Sequence, residues 1–405
     1  MLRKEMTCLV HGFEGSAVSA GIRYQGRLDL GLIASDEPAV LAAVFTRNEV
    51  KAAHVLAGLD RLSRGEPYVR AVVVNSGNAN ACTGNEGVAH VHEICSLVAR
   101  EMGINSDDVM VSSTGVIGQS LPMGRIGDAV PSLVKGLSEN GLEAVADAIL
   151  TTDTVRKTAV RCIDIEGVGV TVAGMAKGAG MIGPDMGPPR ATMLSFVLSD
   201  ARVDPAWWQG ALERSVSDTF NRISIDGDTS TNDTVMALAN GLAGNMEIND
   251  TRYGESFEAI LRDLLQDLAR QIVRDGEGVT KCVTLVVRGA RTRGEADRIA
   301  RTIAGSPLVK TAFFGEDPNW GRILAAAGRA GFPLDQGLIS LAFDDIEIVR
   351  MGTGAGKEAE DLAKKVMAAG EFTVVLDLGL GQEEARILTG DLSIDYVRIN
   401  ANYRT

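Results

Sequence analysis

Histidine is scarce in this chain: His11, His54, His90 and His92 are the only four, and all fall in the first 92 of 405 residues. None stands in a Gly-x-Ser-x-Gly or comparable setting, so a serine-histidine-aspartate enzyme is disfavoured and any acyl transfer needs another base. Cysteine is nearly as sparse. Cys8, Cys82, Cys95, Cys162 and Cys282 form no C-x-x-C pair, and an odd, scattered set argues against a disulfide framework and for a reducing compartment. Aromatic residues make up only 4%, which leaves little for stacking. Basic residues number 40 against 53 acidic ones, a net charge of −13, so nucleic acid and anionic membrane are disfavoured partners. No apolar run approaches a membrane span. The start, Met1 to Met6, leads into Thr7, His11 and Glu14 without the apolar stretch of a secretory signal. The expectation is a cytoplasmic protein.

Glycine and apolar residues are plentiful instead. Hydrophobic residues reach 45%, charged residues 23%, and there are 46 glycines, the composition of a folded chain with many tight turns. The length favours two or three domains or one large elaborated one. Ala71 to Val74 and Cys282 to Val287 read as strands delivering polar loops, while Gly87 to Met102, Ser256 to Arg274 and Glu295 to Ala304 carry helical spacing. Phe372 to Leu378 and Ala385 to Thr389 flank Gly379-Leu380-Gly381-Gln382 like the arms of a hairpin, which tips the class from α/β towards α+β. The sharpest compositional shift is the glycine-rich stretch Gly167 to Gly187, which runs into Pro188-Pro189.

Three segments imitate ligand sites. Met351 to Glu358 approximates a phosphate loop, but Met351 and Glu358 stand where glycine and a hydroxyl residue are required. Asp226 to Asp233 resembles a calcium loop with Thr231 at the glycine position and Ala237 at the bidentate glutamate position. His90 and His92, two apart on a helix, point to different faces. No metal site is expected.

The segment Ala173 to Phe196 is a glycine stretch opening into a strand headed by Thr192. It reads simply as a turn before a core strand. It also reads as chemistry: a threonine preceded by the small Ala191 can attack its own upstream carbonyl and free an α-amine, which then serves as general base for the hydroxyl. That would supply what the missing histidine does not.

Further motifs follow in order along the chain. They are Gly12-Phe13, Val44 to Asn48, Asn75 to Ala81, Ser113 to Gly118, Thr151 to Thr154, Thr219 to Thr234, Asp275 to Gly278, Phe314 to Arg322 and Ile399 to Thr405. With the Thr192 junction, they resemble the ornithine acetyltransferase family, the glutamate N-acetyltransferases of arginine biosynthesis, over nearly the whole chain. The resemblance implies an α+β fold, a layered α/β sandwich with largely antiparallel sheets over residues 1–280 plus a smaller C-terminal α/β domain over 281–405. It implies self-cleavage between Ala191 and Thr192 into chains 1–191 (alpha) and 192–405 (beta), joined as a heterotetramer of two of each.

Residue by residue, the resemblance makes Thr192 the nucleophile and Thr114 and Gly115 the oxyanion hole. Thr151, Lys177, Thr192, Glu277, Asn400 and Thr405 match substrate-binding positions. The implied reaction is ping-pong transfer of acetyl from N2-acetyl-L-ornithine to L-glutamate without a cofactor, with acetyl-CoA as a further donor in some members. Asn75 to Ala81 and Thr229 to Asp233 read as support for the site. Taken singly, Glu277 also reads as a turn residue and Lys177 as a loop cation. This sequence departs from the family at Asp185, where asparagine is common, and at the extra Gly187-Pro188-Pro189-Arg190, whose prolines impose extended geometry ahead of the junction. A hydrolase or aminopeptidase of the related N-terminal-nucleophile type, and an uncleaved small-molecule binding protein, stay open beside the transferase.

Overall fold

A computed structural model describes residues 9–183 and 193–401. The chain divides into two compact units. The first holds Met1–Gly178, Pro184–Asn221 and Thr229–Ile272, and the second Ala179–Gly183, Arg222–Asp228 and Val273–Thr405. The strands in chain order are β1 Phe13–Val18, β2 Leu30–Phe45, β3 Tyr68–Asn75, β4 Val109–Ser113, β5 Lys157–Ile165, β6 Val168–Lys177, β7 Leu194–Ser199, β8 Ile223–Ser224 and β9 Thr234–Ala239. They continue with β10 Cys282–Ala290, β11 Ser340–Phe343, β12 Ile346–Arg350, β13 Thr353–Gly354, β14 Glu371–Asp377 and β15 Glu383–Gly390. Among the described residues no helix is long and apolar enough to cross a membrane.

In the first unit the strand order is β4-β3-β2-β9-β7-β6-β5, with β1 also on β2. The pairs β3–β4 and β7–β9 are parallel and the rest antiparallel. β2 carries a register shift between Ala34 and Ala39, across the exposed Asp36-Glu37-Pro38. A bulge bends its strand, and here the bend folds the sheet over on itself. Phe13, Ile33, Val72 and Val74 from one half share a core with Met175, Phe196, Met236 and Leu238 from the other. Strand side chains alternate between faces, so Ala71 and Val73 turn outward. There they meet Val91, Ile94 and Val98 of the helix Gly84–Met102 and Ile126, Val130 and Leu133 of the helix Met123–Lys135.

The outer face of the other half is covered by the helices Pro205–Asp218 and Gly254–Arg274. Trp208 Nε1 donates to the Ala237 carbonyl at 3.1 Å, and its ring lies 5.9 Å from that of Phe257. Gly174 in β6 leaves room for the longer helix: a Cβ there would stand 2.8 Å from Leu264 Cδ2. The result is helix, sheet, sheet, helix, the layered α+β sandwich expected from the sequence.

The second unit has the sheet order β13-β12-β11-β14-β10-β15-β8. Its core packs Val283, Leu285 and Val287 with Ile299 and Ile303 of the helix Arg293–Ala304, and with Phe313 and Phe372. Here one expectation fails. β14 and β15 are not a hairpin, because β10 lies between them, parallel to β14 and antiparallel to β15. The glycine loop between β14 and β15 spans a strand instead of turning tightly back.

The fully buried Trp208 gives the first test of this packing. Trp208→Ala removes both its ring and the only side-chain donor to Ala237 among the described residues, and should lower stability by about 3–5 kcal/mol. Urea unfolding followed by circular dichroism reads this directly, and a loss below about 1 kcal/mol would mean that the helix does not close this face.

Candidate active site

The two loops that leave the parallel ends of β3 and β4 are laced by amides. Asn75 Nδ2 donates to the Asn78 carbonyl at 2.8 Å, Asn78 Nδ2 to that of Ser120 at 3.1 Å, and Asn80 Nδ2 to that of Gly87 at 2.9 Å. From the other half of the sandwich, Asn232 Nδ2 donates to the carbonyls of Ala79 at 2.5 Å and Ser113 at 2.8 Å. Side-chain to backbone bonds thus fix a region with no regular secondary structure.

The turn Thr114-Gly115 sits between these loops. Gly115 has φ of +138°, and a Cβ there would stand 2.3 Å from the Gly77 carbonyl carbon and 2.4 Å from Asn78 N. Only glycine fits. Thr114 N–H donates to the Asn75 carbonyl at 2.9 Å, while among the described residues the Gly115 N–H has no partner. Thr114 Oγ1 accepts from Lys177 Nζ at 3.5 Å. Because an ammonium only donates, this contact leaves the Thr114 hydroxyl proton to point elsewhere. Chemically, the turn can present two adjacent donors, the Thr114 hydroxyl and the Gly115 amide, to one developing anion.

Lys177 is the last residue of β6, buried and opposite Leu194 at the head of β7. Two carboxylates act on its charge, in contrasting surroundings. Asp153 accepts from Lys157 Nζ at 2.7 Å, Gly178 N–H at 2.6 Å, Thr151 N–H at 3.0 Å and, weakly, Thr151 Oγ1 at 3.5 Å. Burial pushes its pKa up, but the charges of Lys177 and Lys157 and the donated bonds outweigh that and hold it well below the usual carboxylate range. Asp233 is fully buried, and burial pushes it well above that range, with Lys177 acting against the rise. Among the described residues neither Asp233 oxygen has a hydrogen-bond partner. The N–H groups of Met193, Ser230 and Asp233 itself favour its charge from nearby without bonding geometry.

His54 lies beneath Asn232. Its Nε2 stands 3.1 Å from the Asn232 carbonyl and 3.2 Å from Thr234 Oγ1. The carbonyl can only accept, so Nε2 carries the proton, and Nδ1 is buried without a partner among the described residues. Burial lowers its pKa to about 4, with the Asn232 contact opposing. The residue is a neutral strut.

In the second unit, Glu277 Oε2 accepts from Asn400 Nδ2 at 2.8 Å, and Glu277 N–H donates to the Ala179 carbonyl at 2.8 Å. A Cβ on Gly180 would stand 2.3 Å from Glu277 Oε2, so glycine there lets the carboxylate lie against the chain. Asp226 clips the same stretch, accepting from Met181 N–H at 2.6 Å and Ile182 N–H at 2.8 Å. Tyr396 O–H donates to it at 3.3 Å.

Of the residues singled out from the sequence, Thr114, Gly115 and Lys177 thus come together in the first unit, and Thr151 joins them through Asp153. Glu277 and Asn400 pair in the second. Ala191, Thr192, Thr405 and the run Gly187 to Arg190 lie outside the described residues. Sequence reasoning passed over Asp153 and Asp233 as individuals. For Asp153 a signal existed: an acid among the hydroxyls of Thr151-Thr152-Asp153-Thr154 with Lys157 four residues on.

A family model described as the ArgJ family matches residues 14–405. The arginine biosynthesis bifunctional protein ArgJ of Geobacter sulfurreducens is 51% identical over 397 residues, covering 98% of this chain and all of its own. That of Desulfotalea psychrophila matches equally, at 51% with 98% and 100% coverage. Among solved structures, the arginine biosynthesis bifunctional protein ArgJ of Bacillus halodurans aligns with a TM-score of 0.50 at 42% identity, over 52% of this chain and 100% of that one.

The histidine strut has a signature in pH. Its folded pKa is depressed from 6.5 to about 4, so the unfolded chain binds its proton first as pH falls. The stability tied to neutral His54 is whole above pH 6.5 and drains away towards pH 4, by about 3 kcal/mol at about 1.4 kcal/mol per unit. Denaturant melts of the parent and of His54→Gln at pH 7, 5.5 and 4.5 isolate it: the parent should lose the larger share, and parallel curves would mean that the imidazole is hydrated.

Proposed function

This chain belongs to the ArgJ family, and on that premise we propose that it is an acyltransferase of arginine biosynthesis that moves acetyl from N2-acetyl-L-ornithine to L-glutamate through an ester on Thr192. The observation that carries the proposal is the Thr114-Gly115 turn beside a buried lysine, with one amide proton and one hydroxyl proton that have no acceptor among the described residues.

The chemistry follows from those groups. The chain is cut between Ala191 and Thr192, and the freed α-amine takes the Thr192 hydroxyl proton as Oγ attacks the acetyl carbonyl. The tetrahedral oxyanion rests on the Thr114 hydroxyl and the Gly115 amide; the Thr114 amide is spent on Asn75 and takes no part. The ammonium of Lys177, donating to Thr114 Oγ1, polarises that hydroxyl and strengthens it as a donor. Collapse returns the proton to the leaving nitrogen, ornithine departs, and the amine of glutamate attacks the ester through the same states in reverse. Substrate-binding roles extend to Thr151, Lys177, Glu277, Asn400 and Thr405 on the family resemblance. The bifunctional name of the relatives supports acetyl-CoA as a second donor. Cytoplasmic location and a heterotetramer of two alpha and two beta chains belong to the same proposal. That the Bacillus halodurans chain is covered completely by about half of this one supports a protein that matures as two pieces.

Two measurements test this. The purified protein should run as pieces 1–191 and 192–405 on a denaturing gel, with Thr192 as a new N-terminus, and Thr192→Ala should leave one intact, inactive chain. A processed Thr192→Ala protein would point to an outside protease.

Thr114→Ala should lower turnover of acetyl transfer by about 10²–10³ with little change in amino-acid binding. Glutamate should accelerate ornithine release from N2-acetyl-L-ornithine; release indifferent to glutamate would make water the acceptor and the protein a hydrolase.

A further inference from the structure

Lys157 heads β5 and Lys177 ends β6, and the antiparallel pairing sets Lys157 opposite Ala176, so a buried ion pair comes to lie beside Lys177. The side chains of Asp153 and Lys157 are fully enclosed, with Asp153 Oδ1 accepting from Lys157 Nζ at 2.7 Å. The same oxygen accepts from Gly178 N–H at 2.6 Å, and Oδ2 from Thr151 N–H at 3.0 Å. Gly178 immediately follows Lys177, so one carboxylate grips both the chain that carries the lysine and the loop that carries Thr151. We propose that Asp153 is a positioning residue for acetyl transfer, one that seats the Lys177 ammonium against the Thr114 hydroxyl and supplies its counter-charge, an inference that rests on the acetyl-transfer reading above. Asp153 acts through Lys177.

A buried ion pair is weak evidence of stability by itself, and this one is tied to a second cation. Among the influences that lower the pKa of Asp153, the charge of Lys177 is the largest, ahead of that of Lys157. Coulombic coupling is mutual, so the carboxylate favours the charged form of Lys177 by the same amount. The other acid acting on Lys177 is Asp233, which burial pushes well above the usual carboxylate range. Asp153, held low, is therefore the counter-ion that keeps its charge at neutral pH. The charge matters at Thr114, whose Oγ1 lies 3.5 Å from Lys177 Nζ, a length that catalytic contacts often show before substrate binds and tightens them. An ammonium only donates, and it leaves the Thr114 hydroxyl proton for the oxyanion; a neutral amine would accept that proton and turn the donor away.

Among the described residues, the charged groups that bear on Lys177 are Asp153 from the loop before β5, Asp233 from the loop before β9, and Lys157 behind Asp153. Removing the Asp153 charge lowers the pH at which Lys177 gives up its proton, by about 1–3 units for a close opposite charge. Removing the Lys157 charge works the other way, because Asp153 then serves Lys177 alone. The two changes thus push the alkaline limit of acetyl transfer in opposite directions. A carboxylate that merely shapes the loop moves it in neither.

The test is the pH dependence of kcat and of kcat/KM for N2-acetyl-L-ornithine, with L-glutamate as acceptor and rates taken per cut chain, in the parent, Asp153→Asn, Lys157→Met and the double variant. Asparagine keeps an acceptor for Gly178 and Thr151. Methionine fills the space of the lysine stem, so the double variant removes the buried pair without stranding Lys157. We expect Asp153→Asn to lower kcat by about 10–10²-fold, the scale of a small misplacement in an active site, and to bring the alkaline fall in kcat/KM about one pH unit or more below the parent's. Lys157→Met should fall no earlier than the parent, and the double variant about one unit or more earlier than Lys157→Met. Parent turnover in Asp153→Asn, or an alkaline limb that does not move, overturns the inference. Should Asp153→Asn alone fail to fold, the comparison of Lys157→Met with the double variant decides by the same shift. Loss of the fold in both variants that lack Asp153, or a folded Asp153→Asn that is never cut, assigns the acid to folding or maturation and overturns the inference too. A parent that moves no acetyl to glutamate instead defeats the acetyl-transfer reading and the inference with it.

Discussion

The approach of one backbone to another at Gly115 is the constraint on which the first unit's chemistry depends. With the Gly77–Asn78 peptide lying where a side chain would be, the turn cannot relax, and the Thr114 amide is directed to Asn75 while its hydroxyl faces Lys177. The amides of Asn75, Asn78, Asn80 and Asn232 then hold both loops at fixed bond lengths. Donors of this kind stabilise a developing charge because they need not reorganise when it forms. Rigid packing of the bent sheet beneath them is what makes that possible.

Lys177 sits in an uneven electrostatic field. One neighbouring carboxylate, Asp153, accepts several hydrogen bonds that hold its pKa low; the other, Asp233, is buried, and burial pushes its pKa up, with no hydrogen-bond partner for its side chain among the described residues.

Much of this was legible in the sequence, for physical reasons that also mark where legibility stops. The strand at Ala71 to Val74 announces itself as a short apolar run before polar punctuation, being buried on both faces, and the helix at Gly87 to Met102 by a periodicity that alternates core with solvent. The turn at Thr114-Gly115 was reached only through a family likeness, since its partners Gly77, Asn78 and Lys177 come from distant segments. The arms around Gly379 to Gln382 looked like a hairpin because local pattern cannot register a strand inserted from about ninety residues upstream, and β10 is that strand. Asp233 was hidden for a related reason. Its surroundings come from β6, the head of β7 and its own loop, and a carboxylate without partners among the described residues is visible only once those segments are assembled.

The strand order of the first unit bears on how the molecule can come apart. β1 to β6 precede Ala191, whereas β7 and β9 follow Thr192 and lie together in the middle of the sheet, with β2 on one side and β6 on the other. A chain severed at that junction would be two polypeptides sharing one continuous hydrogen-bonded layer, each unable to complete its core alone. The fragments would hold together through burial and strand pairing, with no linking peptide to bring them back once separated. Assembly would have to precede scission, and denaturation of the mature protein would turn an intramolecular search into a bimolecular encounter between two aggregation-prone pieces. Such a protein carries its folding information in a precursor that no longer exists, and its durability is set by the barrier to leaving the native state.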